Sequence, residues 1–227
     1  MLSAETLYVK GRHSALLPPT SLEVNAGGLL LVSGGGQSTR TALALVLAGR
    51  MRPTSGSLAW GHSARTGHLR RHAALIDSPE VNAPERHFRV RDLVAEDLAL
   101  IPRRNRPQGN AADWLSNEDL SDLGPRWIED LEPSVRLDLL IRLALADIDV
   151  ELLVFDSPDR HGADPEAWLP ALTGSVSLPS RLVTAVAVVA QIPPGWTGPA
   201  AAAGDTAGAG DTAAGVATAG IAEEVPA

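Results

Sequence analysis

Apolar residues crowd into four short unbroken runs: "LLLVSG" (29–34), "HAALID" (72–77), "VELLVFD" (150–156) and "SRLVTAVAVVAQ" (180–191). All four predict strands, and the first and third read as buried ones. Between the first two lies "TALALVLAGRM" (41–51), rich in Ala and Leu and closed by Gly49 with Pro53 shortly after. That is a helix with a stop signal. "RPTSGSLAW" (52–60) predicts a turn and a short strand. From about 90 to 146 the pattern turns helical, in "VRDLVAEDLAL" (90–100), "NEDLSDLGPRWIEDL" (117–131) and "SVRLDLLIRLALAD" (134–147), with the polar loop "PRRNRPQGNAAD" (102–113) between the first two. Strands flanking helices indicate an α/β core with a helical insertion. The last stretch, 195–227, repeats "AGDTA"-like units and is nearly all Ala, Gly and Thr. It has little large apolar surface to bury, so it is expected to be a disordered tail after one domain spanning 1–194.

Composition narrows the class. The 227 residues suit one large domain, or a domain with a smaller lobe, and 44% are hydrophobic, enough for a sizeable core. The net charge of −8 argues against a general nucleic-acid binder, so "RRHAAL" and "PRRNRP" read as solvated loops. With no cysteine there is neither a disulfide framework nor a thiolate metal site, which fits a reducing compartment. The amino terminus shows no secretory signal pattern. The longest apolar run, "LVTAVAVVA" (182–190), is far short of a membrane span. The expectation is a cytoplasmic protein that spans no membrane and reaches one only through a partner. His62, His68 and His72 read as surface residues, "DRH" (159–161) as loop rather than metal pair, and Trp114 and Trp127 as the small core of the helical insertion.

The stretch "LVSGGGQSTRTALALVLAGRMRPTSGSL" (31–58) has the outline of strand, glycine loop and helix. A phosphate-cradling loop needs glycines so that backbone N–H groups face the anion, a lysine for the terminal phosphates and a hydroxyl for Mg²⁺. Against G-x-x-x-x-G-K-[ST], Gly34 and Thr41 match, whereas Thr39 stands at the second glycine and Arg40 at the lysine. Lys10 is the sole lysine, so no other can substitute. If position 39 needs a positive φ, threonine there costs about 1–2 kcal/mol.

The surrounding residues carry a resemblance. "TSLEVNAGGLLLVSG", "TALALVLAGRMRPTSGSLAW" and "VELLVFDSPDRHGADPEAW" resemble the phosphate-loop and Walker B regions of ATP-binding cassette (ABC) ATPases, and the likeness covers roughly residues 5–192. It implies an α/β fold: a P-loop NTPase-type core of the ABC kind, with an antiparallel β subdomain and a helical lobe over about 90–146. It further implies that Gly34, Gly35, Gly36, Gln37, Ser38, Thr39, Arg40, Thr41 and Ala42 cradle ATP, and that Thr41 and Asp156 hold Mg²⁺, Asp156 through water.

The same resemblance marks what has changed. The family's catalytic glutamate falls on Ser157, which is no base near neutral pH, so no catalytic residue is assigned. The Q-loop glutamine falls on Ser78 or Glu80. The signature segment falls on "LEPSV" (131–135), where both glycines are gone and Pro133 lacks an N–H. The switch histidine falls near Gln191. Only His13 could stack on adenine. Asp164 matches the D-loop acid. The expected function is an ABC transporter's nucleotide-binding subunit with weak or vestigial ATP and Mg²⁺ use, partnered by a membrane permease or a second cassette. The alternatives are an active ATPase that recruits Asp159 or Asp77 as base, and a scaffold that binds no nucleotide.

Overall fold

The computed structural model describes residues 1–162, 164–179 and 181–206. Strands β1 (Leu2–Lys10) and β2 (Ala15–Val24) are followed by β3 (Leu29–Ser33), helix α1 (Gln37–Leu47), β4 (Ser55–Trp60), α2 (Thr66–His72) and β5 (Ala73–Ile76). The insertion contains α3 (Val90–Leu100), α4 (Ala111–Asn117) and α5 (Pro133–Leu145). Strand β6 (Leu152–Asp156), α6 (Leu169–Val176), β7 (Thr184–Val189) and β8 (Ala200–Ala202) complete the described chain.

Two sheets result. β1 pairs antiparallel with β2 and β4, in the order β2-β1-β4. Pro18 and Pro19 are tolerated in β2 because it is an edge strand with a free side. The second sheet is parallel, in the order β5-β6-β7-β3-β8. Its central strands alternate between two cores. Leu30, Val32, Leu152, Val154, Val186 and Val188 face α1 and the antiparallel sheet. Leu29, Leu31, Leu153, Phe155, Ala185 and Ala187 face the helical insertion and α6. Both faces are covered, so the strands read as unbroken apolar runs.

Three features differ from the sequence expectation. Residues 117–131 are not a helix: they form 3-10 turns at Ser121–Leu123 and Ile128–Asp130. Asp119, at φ 58°, leaves the helical region there, and Gly124 and Pro125 follow within a few residues. The helix instead starts earlier, inside the expected loop, where a capping box closes it: Asn110 accepts from the N–H of Ala112 and Asp113, and Asp113 accepts from the N–H of Asn110. Asn110→Ala should cost about 1 kcal/mol, readable as a small drop in the denaturant midpoint. Trp114 is core, 4% exposed, but Trp127 is 38% exposed and stacks under the Arg89 guanidinium at 4.1 Å.

The third difference concerns the tail. β8 pairs parallel with β3, matching Leu31 with Ala200 and Ser33 with Ala202. The ordered fold therefore passes the expected boundary at 194. Backbone pairing, rather than large side chains, recruits this alanine segment to a sheet edge that would otherwise be open. The rest of the expected tail, 207–227, lies outside the described residues. Among the described residues no helix is long and apolar enough to cross a membrane.

Candidate functional site

The carboxyl ends of β3 and β6 lie on one edge of the parallel sheet with β7 between them, and α1 starts directly after β3. The candidate site is built there. Gly34 continues β3, its N–H donating to Val189 O at 2.9 Å. A Cβ at Gly34 would lie 2.6 Å from Arg40 Cγ, so only glycine lets that side chain pass. Helix α1 begins at Gln37, with Gly36 as N-cap. Thr39 is therefore a helical residue, and its Cβ costs no strain because no positive φ occurs there. Ala42 is buried on the core face of α1. Ser38 lies exposed in the first turn.

Asp156, at the end of β6, is 1% exposed and fully engaged. Oδ2 accepts from Thr41 Oγ1 at 2.7 Å and from Ser78 Oγ at 2.6 Å. Oδ1 accepts from Gln37 Nε2 at 3.1 Å and from Ser157 Oγ at 3.0 Å. The expected metal pair, Thr41 and Asp156, is thus together. Of the two candidates for the Q-loop position, Ser78 enters the site and Glu80 does not: Glu80 is exposed, at φ 58°.

Arg40 folds back across the loop. Its Nε donates to Ser157 Oγ at 2.9 Å, one terminal nitrogen donates to Gly35 O, and the other donates to Gln37 Oε1 at 2.8 Å. Ser157 is 1% exposed and has φ 55°, a left-handed conformation that costs a non-glycine residue about 1–2 kcal/mol. It persists because the hydroxyl is held from both sides, by Arg40 and by Asp156.

This arrangement can be tested for its fit to Mg²⁺ and a triphosphate. Thr41 and Asp156 supply oxygens of the right kind. Yet both Asp156 oxygens are taken by side-chain donors, and the Arg40 fork lies against the loop that would wrap the phosphates. Among the described residues no cluster of three or more acids, histidines or cysteines could hold a metal ion. The oxygens of Thr41 and Asp156 therefore suit the group in kind, and in this arrangement protein donors and the Arg40 fork occupy their places.

A second cluster stands beside the first, and the sequence reading missed it. Asp77, directly after β5, is 3% exposed and has φ 53°. Arg136, from the first turns of α5, reaches it through two nitrogens at 3.2 and 2.7 Å. Arg160 and His161, from the turn after β6, reach it at 2.9 and 2.7 Å. Burial pushes the Asp77 carboxyl up. The His161 hydrogen bond and the Arg136 and Arg160 charges outweigh that and hold it down at about 2. In sequence these four residues are spread over 84 positions, with no spacing to link them. Asp77 is wholly engaged and is no free base. Asp159 is tied through Oδ2 to the N–H of Ala190 at 2.8 Å. Pro133 is the first residue of α5, where its missing N–H costs nothing. His13 and Gln191 are exposed, and among the described residues no contact draws them to the site. Asp164 caps a 3-10 turn by accepting from the N–H of Glu166 at 3.0 Å. His72, expected at the surface, is half-buried, with Nδ1 2.8 Å from Asp149 O.

A parallel sheet with a glycine loop at its edge, an antiparallel sheet on one face and a helical insertion on the other define an ATP-binding cassette ATPase fold. Solved structures agree. An ATP-binding cassette of an ABC transporter superposes with TM-score 0.62 at 16% identity, covering 85% of this chain and 82% of that one. A dimeric ATP-binding cassette bound to ADP and Pi superposes with TM-score 0.60 at 14% identity, covering 84% and 88%. In sequence, the sulfate/thiosulfate import ATP-binding protein CysA of Pseudomonas putida is 27% identical over 204 residues, covering 81% of this chain and 59% of that protein. Its namesake CysA 2 from Rhizobium meliloti is 30% identical over 162 residues, covering 65% and 41%. No family model matches the chain. The chain is thus similar to ABC transporter ATP-binding subunits in sequence and shares their fold, and it spans 59% and 41% of the lengths of these two curated relatives.

Proposed function

We propose that this chain is a nucleotide-binding-type subunit of an ABC transporter system that binds Mg²⁺ and ATP weakly and does not hydrolyse ATP. It would work at the inner face of a membrane through a permease subunit, a second cassette or both. The observation that carries this reading is Ser157. It takes the position after the β6 aspartate, it is buried, and its proton goes to Asp156. No carboxylate stands there to polarise water, and loss of a general base typically costs about 10²–10⁴ in rate. Of the two acids weighed as alternative bases, Asp77 is wholly engaged in its ion-pair cluster, and Asp159 holds the Ala190 N–H through Oδ2.

The test is a phosphate-release assay on the purified chain with Mg²⁺ and ATP. We expect the same background rate from the unmodified chain and from Asp156→Asn. Turnover that vanishes in Asp156→Asn would show an active ATPase instead.

A further inference from the structure

By its place in the loop pattern Arg40 stands for a lysine, a cation waiting for phosphate. Its contacts argue otherwise. The guanidinium is committed to three neutral acceptors: Gly35 O on the loop, Gln37 Oε1 on α1 and Ser157 Oγ on the strand end opposite. A lysine is a point charge on a flexible stem and swings aside readily. An arginine is a rigid fork, and acceptors on two separate elements hold it in one geometry. A Cβ at Gly34 would collide with its stem, 2.6 Å from Cγ.

We propose that Arg40 is a gate on this site: it competes with polyphosphate for the loop, and Ser157 is the anchor that keeps it shut. This rests on the reading of the loop as a nucleotide site. Ser157 suits the role because both capacities of its hydroxyl are used in one direction. Its proton goes to Asp156 and its lone pair accepts from Arg40. One residue thus accounts for two properties. It removes the carboxylate from the reaction centre, and it ties the arginine across the loop.

The gate predicts that loosening it improves binding, against the intuition that disturbing a phosphate-loop cation weakens it. Gating acts as a tax on affinity: if the open form is about one-tenth of the population, the apparent Kd is about tenfold weaker than the intrinsic one. Ser157→Gly removes the anchor, keeps the Arg40 charge and suits the φ of 55°. A fluorescent ATP analogue with Mg²⁺ is titrated into the full chain, into Ser157→Gly and into Arg40→Ala. Circular dichroism melts confirm that each is folded, and phosphate release is measured on the same samples. We expect Ser157→Gly to bind about tenfold more tightly than the unmodified chain. We expect Arg40→Ala to bind at least as well as the unmodified chain despite its lost charge. Equal or weaker binding by Ser157→Gly overturns the gate, as does absence of binding in every variant up to millimolar analogue. Turnover by the unmodified chain overturns the functional reading instead, whatever the affinities.

Discussion

Replacing Asp77 with asparagine should destabilise the folded chain by about 3–5 kcal/mol, the cost of removing one side of a buried ion pair. Asparagine keeps the shape and tolerates the φ of 53°, so the loss is electrostatic. What remains is Arg136, 8% exposed, facing Arg160 and His161 without an anion between them. The network also joins three parts of the molecule: the end of β5, the helical insertion through α5 and the turn after β6. Ser78, next to Asp77, donates to Asp156, so the damage should reach the candidate site. Urea unfolding of both proteins at pH 7 measures the effect, and a difference under about 1 kcal/mol would place the pair among surface ion pairs. The pH dependence gives a second handle. The Asp77 carboxyl lies at about 2 in the fold against an ordinary 3.8. A depressed carboxyl pKa stabilises fully above the unfolded value and ceases to do so as pH falls through the folded one. The unmodified chain should therefore lose this contribution between about pH 4 and pH 2, and Asp77→Asn should lack that component of the acid transition.

Cutting the chain after Thr197 should cost at least about 4 kcal/mol, at about 1 kcal/mol for each of four hydrogen bonds that are lost besides the β3–β8 ladder itself. Leu31 N–H donates to Pro199 O, Ala203 N–H to Ser33 O, Ser21 N–H to Asp205 O and Gly204 N–H to Thr20 Oγ1. The removed segment also covers Thr20, which is fully buried, and its Ala201 and Ala203 pack on the core shared with α1. β3 would become an exposed edge, a template for pairing with other chains. A lower melting temperature together with concentration-dependent aggregation is the expected pair of results. A chain cut after Thr206 keeps all of these contacts and is the comparison. Equal melting of the two truncations would mean that β8 contributes nothing.

Much of the architecture was legible in the sequence. Strands β3, β6 and β7 stand out because a strand covered on both faces must be apolar at every position. Helices α1, α3 and α5 stand out because each has a long apolar stripe. The glycine loop, Asp156 and Ser157 drew notice for a different reason: each lies in a short consecutive stretch that resembles a motif of a known family. Helices α2 and α6 and strand β8 escaped because they are short and their composition is ordinary for turns. β8 is three alanines, and what makes them a strand is the free edge of β3, whose paired residues lie 169 positions earlier.

The sequence by itself determined that the protein is an α/β cassette with a glycine loop, an acid at the end of a buried strand and a serine where a base would stand. The strands, the glycine loop and the helix after it follow from periodicity and spacing; the cassette reading and the missing base follow from the resemblance to a known family. Only the tertiary structure decided what those residues do to one another. Arg40 turns back to Ser157 because β6 and α1 meet across one sheet edge, and Asp77 collects Arg136, Arg160 and His161 because three distant segments converge on it. Hydrogen bonds and ion pairs act over a few ångströms of space, whatever the separation along the chain, so such partners become known only once the fold has brought them together.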